Sequence, residues 1–169
     1  MSGSFKEINP GQIKDNVFKL IGSDWMLITA GTIDFFNMMT ASWGGLGVLW
    51  NKNVCFCFIR PGRYTYGFME RADHFTLSFF EEKYRNVLDL CGSKSGRDVN
   101  KVKATGLTPV KGETGAVHFN EARLVLECKK IYFQDIDPKH FLQNDIAGNY
   151  PQKDYHRMYA GEIVSCLVK

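Results

Sequence analysis

The stretch 46-LGVLWNKNVCFCFIR-60 sets two runs of β-branched, aromatic and other apolar side chains on either side of Asn51-Lys52. Such side chains fit a pleated sheet, and a short polar pair containing Asn between two of these runs is a hairpin signal. The reading is two antiparallel strands, 46–51 and 53–60, ended by Arg60-Pro61-Gly62-Arg63, where proline and glycine stop the ladder. Working upstream, 24–37 reads as strand material with Gly31 as a turn or bulge. Ahead of it, 12–22 places Ile13, Val17, Leu20 and Ile21 at helical spacing, after an N-terminal arm. Downstream, 64–71 reads as a short helix introduced by the Thr65 hydroxyl, and 75–80 as a strand. The run 81–92 is a helix, with Tyr84, Val87, Leu88 and Cys91 on one face and Gly92 at its end. A polar turn at 93–106 leads into another short helix. Strands follow at 115–134 and 159–169, with a loop at 143–157 between them. Hairpin-joined strands with a few small helices predict a mainly β fold, an antiparallel barrel with helical additions.

The chain has 169 residues, 44% of them apolar and 23% charged, which predicts one well-buried domain over 1–169. A net charge of +3 without long basic runs argues against nucleic-acid binding. No apolar segment approaches the roughly 20 residues of a membrane helix. Five cysteines without a signal peptide, C-x-x-C pair or adjacent His cluster predict free thiols, no metal site and a cytoplasmic location. Sequence fingerprints of hydrolases, zincins, P-loop NTPases and Rossmann folds are absent, and no residue is assigned a catalytic role.

Three stretches can carry chemistry. In 93-SKSGRDVNK-101, Ser95 is placed to cap a helix with Asp98 completing a capping box, and Arg97 and Lys101 fall four apart on one face. Free amides, serine hydroxyls and two cations make an anion site of the kind phosphates occupy. The same pattern also suits a well-capped surface helix with solvated charges, and spacing alone does not choose. In 58-FIRPGRYT-65, two arginines flank a Pro-Gly turn, and Arg60 is held at the rim of the core by the apolar run before it. In 37-NMMTASW-43, Asn37 offers an amide, Thr40 and Ser42 hydroxyls and Trp43 a stacking face; the alternative is a bulged strand with Met39 and Trp43 in the core.

These three stretches, in this order, resemble the flavin reductase-like family of FMN-binding split barrels, and within it the flavoredoxins. Support comes from 121-EARLVLECK-129 and 161-GEIVSCLVK-169, so the resemblance spans nearly the whole chain. It implies a Greek-key split β-barrel with short peripheral helices, forming a homodimer that binds FMN near the subunit interface. Carried over, it assigns Asn37, Met39, Thr40, Ala41, Ser42 and Trp43 to the flavin ring and ribityl chain. Arg60, Tyr64 and Thr65 follow from the second strand end. Ser93, Ser95, Gly96, Arg97 and Lys101 fall at the phosphate or nearby ring atoms. His140 is the better match for a histidine beside the flavin, and His156 the runner-up. The implied activity is FMN-dependent oxidoreduction, with electrons from NAD(P)H or a redox protein passed to flavin or another acceptor, or carried by bound FMN. The competing reading is a non-catalytic module holding flavin or haem.

Overall fold

The computed structural model describes residues 4–169. Its elements in chain order begin with β1 (Lys6–Glu7), α1 (Val17–Gly22), β2 (Met26–Thr32), β3 (Phe35–Ala41), β4 (Gly44–Leu49) and β5 (Lys52–Ile59). Then come α2 (Tyr64–Arg71), β6 (His74–Phe79), α3 (Arg85–Ser93), α4 (Lys101–Thr105), β7 (Pro109–Lys111), β8 (Val117–Phe119), β9 (Leu124–Asp135) and β10 (Arg157–Val168). The 46–60 hairpin forms, one residue out of phase with the sequence reading: Leu49 pairs with Lys52 across Trp50-Asn51. Both turn residues are left-handed, at φ 50° and 59°. That conformation matches the twist of flanking strands, but Trp adopts it reluctantly. A tertiary contact accompanies it, Tyr132 meeting the Trp50 ring edge-on at 5.9 Å.

The strands pair in the order β3-β2-β6-β9-β10-β5-β4, with β1 added on β10, and every pairing is antiparallel. The path starts at β3 and ends at β4, which are joined only by Ser42-Trp43, so the sheet must curl until its two ends meet. No ladder bonds join β3 to β4, and the barrel is split there. Residue alternation divides the apolar side chains between two cores. Ile28, Met39, Cys55, Cys57, Leu126, Cys128 and Tyr159 fill the barrel, while Leu27, Met38, Val125 and Phe119 pack outside it with Val87, Leu88 and Cys91 of α3. All five thiols are free and buried as small hydrophobes, and the described residues hold no metal-ligating cluster. Among the described residues, no helix is long and apolar enough to cross a membrane.

Several boundaries differ from the sequence reading, each for a local reason. The 12–22 helix starts only at Val17, because Asn16 caps it through the Lys19 amide and Pro10–Gln12 forms a separate 3₁₀ turn. The 24–37 segment is a hairpin arm and its return, turning at Ile33-Asp34. Gly31, at φ 114°, lies so close to the returning strand that a Cβ there would sit 2.4 Å from the Phe35 carbonyl. The 115–134 run breaks into β8 and β9. Helix α2 spans 64–71 as read, yet Thr65 does not cap it: its hydroxyl accepts from the Asn37 amide at 2.8 Å.

Candidate functional site

Closure of the barrel puts the Ser42-Trp43 link beside the end of β5 and the start of β10. Trp43 is about half exposed, and its ring lies 5.1 Å from that of His156, which is itself buried. Phe58 closes the other side of the imidazole at 6.4 Å, and the Tyr150 hydroxyl meets Nδ1 at 2.9 Å. Burial, with Arg60 and Arg63 nearby and Asp154 opposing them, pulls the His156 pKa down to about 4. The fold therefore favours the neutral ring: its contribution to stability is complete above the ordinary pKa of 6.5 and is lost as pH falls through about 4. His118 is shifted the same way by burial. Thermal unfolding measured from pH 7 to 4 should show a decline worth up to about 3 kcal/mol from His156. That decline should flatten in His156→Gln.

The Pro61-Gly62 turn gathers cations. Helix α2 starts there with Arg63 at its cap position and no side chain bonding its first turn. The Tyr64 and Thr65 amides meet no acceptor among the described residues. Arg63 donates to the Gly92 carbonyl at 2.8 Å, and Arg97 donates to the Gly62 carbonyl at 3.3 Å while lying 5.0 Å above the Tyr64 ring. Arg60 leaves the same strand end toward 149–154. An open helix N-terminus ringed by guanidiniums is an anion site.

Beside it, Asn37, Tyr64, Gly96, Arg97 and Lys101 line a cleft of about 520 Å³. Gly96 is required by close approach: a Cβ there would stand 2.1 Å from Asn37 Oδ1 and 3.0 Å from Tyr64 Cδ1. Lys101 is buried, donating to the Met38 and Cys91 carbonyls at 2.8 Å each, which leaves one N–H of its ammonium for another acceptor. Burial lowers its pKa, Cys91 opposing and Arg63 reinforcing the shift.

The capping box at Ser95 is corrected by the structure. Residues 95–99 form a turn in which the Ser95 hydroxyl accepts from the Arg97 amide and the Ser95 carbonyl from Asp98 and Val99. The helix begins at Lys101, capped by Asn100 through the Lys103 amide, a start five residues closer to the apolar Val102 than Ser95 would give. Arg97 and Lys101 consequently share no helix face; the turn brings them to the same cleft. Of the other sequence-predicted residues, Met39 points into the barrel and Ala41 packs against that core. Thr40 donates to the Leu88 carbonyl at 2.5 Å, tying β3 to α3. Ser42 is half-buried beside Trp43, and Ser93 ends α3, its hydroxyl 3.5 Å from the Leu90 carbonyl. His140 is exposed on the 3₁₀ turn Pro138–His140, and the histidine brought to Trp43 is His156. The sequence flags Arg63 as one of two arginines flanking Pro-Gly but assigns it no site role, and Tyr150 has no local signal.

Compared with known proteins, the sequence matches the profile of the "Flavin reductase like domain" over residues 18–169. The chain belongs to the flavin reductase-like family. A search of curated proteins found no match. Among solved structures, flavoredoxin of Desulfovibrio vulgaris (Miyazaki F) superposes with a TM-score of 0.68 at 26% identity, covering 86% of this chain and 69% of that one. An FMN-binding domain of a flavin reductase-like enzyme from Shewanella baltica reaches 0.72 at 16% identity, covering 99% of this chain and 78% of that one. The Streptomyces globisporus NADH:FAD oxidoreductase, solved with NAD and FAD fragments, reaches 0.64 at 16% identity, covering 86% and 74%. At these identities the two enzymes speak to the split-barrel fold.

Proposed function

We propose that this chain is an FMN-binding oxidoreductase whose cofactor phosphate sits at the open start of α2 and whose ring lies beside Trp43. The observation that carries the reading is the convergence of Arg63 and Arg97 on the uncapped first turn of α2, with a half-exposed indole beside the end of the preceding strand β5. Charge-assisted hydrogen bonds from guanidiniums and helix amides suit a dianion, and the residues present fit the group. FMN, when bound, supplies the hydride and single-electron chemistry. Asn37, fixed by Thr65, and the free N–H of Lys101 would orient polar ring edges, and the Lys101 charge favours the electron density gained on reduction. Trp43 limits water at the ring face. The electron donor is NAD(P)H or a redox protein. Free buried thiols support a reducing, cytoplasmic setting.

Titrating flavin-free protein with FMN and with FAD, then anaerobically with NADH and NADPH, tests the proposal. FMN should bind more tightly than FAD, and bleaching by one nicotinamide marks a reductase. Bleaching only by a low-potential protein donor marks a carrier, and failure to bind either flavin would falsify the reading.

A homodimer is part of the same proposal. Val48, Trp50, Tyr132 and Val164 leave apolar side chains 72%, 59%, 40% and 42% exposed on β4, the β4–β5 turn, β9 and β10. Exposed apolar surface of this kind marks interfaces. Val48→Asp should shift the mass measured by light scattering from dimer to monomer; an unchanged dimer mass would point to another face.

A further inference from the structure

Arg60 holds the segment between β9 and β10 against the mouth of the barrel. Its guanidinium donates to Asp154 Oδ1 and to the Asn149 carbonyl, both at 2.8 Å, and stacks 4.9 Å from the centre of the Tyr150 ring. Tyr150 reaches back in turn to His156, and both residues are buried. The His156 backbone amide, a donor, also acts on the Tyr150 oxygen, which leaves the hydroxyl hydrogen for Nδ1 and the imidazole proton on Nε2. Nε2 makes no hydrogen bond among the described residues, while its ring packs on Trp43.

We propose that Arg60 and Tyr150 form a clasp that positions His156 as a neutral donor, its Nε2–H available to a carbonyl or ring-nitrogen acceptor of the heterocycle beside Trp43. This rests on the flavin reading above and deepens it. Tyr150 and Arg60 are positioning residues that act through His156. The charged groups facing the imidazole are Arg60 and Arg63 from the end of β5 and its turn, and Asp154 from the 143–157 segment. Two cations against one carboxylate disfavour the imidazolium, and a neutral ring with Nδ1 occupied is an oriented donor.

Histidine ring NMR on flavin-free protein tests the clasp without the cofactor. The parent His156 should titrate near pH 4. Tyr150→Phe keeps the ring but removes a bond to the neutral form, and should raise that titration by roughly half a unit to one unit. Tyr155→Phe, on the neighbouring ring, should leave it in place. In flavin titrations, Tyr150→Phe should bind several-fold more weakly, and His156→Gln, which keeps an N–H donor, should stay closer to the parent than His156→Leu. Identical His156 titrations in the parent and Tyr150→Phe overturn the clasp. A shifted titration with undiminished flavin affinity in both Tyr150→Phe and His156→Leu overturns the donor role. If the parent binds no flavin while the NMR shift holds, the flavin reading fails and the clasp stands.

Discussion

Arg63→Ala is expected to weaken FMN binding by about 1.5–3 kcal/mol, roughly 10- to 150-fold in Kd. The reason is position: Arg63 occupies the cap position of α2 without bonding its amides, and its charge acts on both Lys101 and His156, so it lies between the two halves of the cleft. Its bond to the Gly92 carbonyl is at the surface, so the variant should melt close to the parent. Arg97→Ala should fall in the same range, because Arg97 crosses the same turn from the other side. Fluorescence titration with FMN measures both. Retention of FMN by Arg63→Ala at parental affinity would move the phosphate away from this turn.

Gly161→Ala should cost about 1–3 kcal/mol of fold stability, seen as a fall of roughly 3–10 °C in calorimetric melting temperature. In β10 this glycine faces the ring of Phe75 from β6: a Cβ would stand 2.6 Å from Phe75 Cζ and 2.9 Å from Cys128 Cβ. The β10–β9 register also shifts between Ala160 and Gly161, so the backbone is already bent inward. Phe75 is fully buried and has nowhere to retreat. Trimming it with Phe75→Leu in the Gly161→Ala background should recover part of the loss, a coupling that a double-mutant cycle measures. Additive single effects would mean that the close approach relaxes elsewhere.

The strands and the 46–60 hairpin were legible because two-residue alternation and turn residues act over a few positions. Helix starts were less so. Both Ser95 and Asn100 could cap, and the choice went to the one whose helix sets Lys101 against the Met38 and Cys91 carbonyls. Lys101 itself reads as a solvated cation in sequence; its burial depends on carbonyls from β3 and α3. The two loop histidines were indistinguishable locally. The Ile136 amide bonds the His156 carbonyl at 3.0 Å, extending the β9–β10 ladder by one step, and this sets His156 at the barrel mouth while His140 stays on an outer turn.

By itself, then, the sequence determined the antiparallel strands, the Arg60–Arg63 break, the free thiols and the three polar stretches, since each rests on chemistry between near neighbours. Only the tertiary structure decided that residues 95–99 form a turn rather than a capped helix, and that the first turn of α2 is left without a side-chain cap. It also decided that Arg63, Tyr150 and His156 join Trp43. Those groups lie more than a hundred residues apart at the extremes, and what brings them together is the curling of one sheet until β3 meets β4.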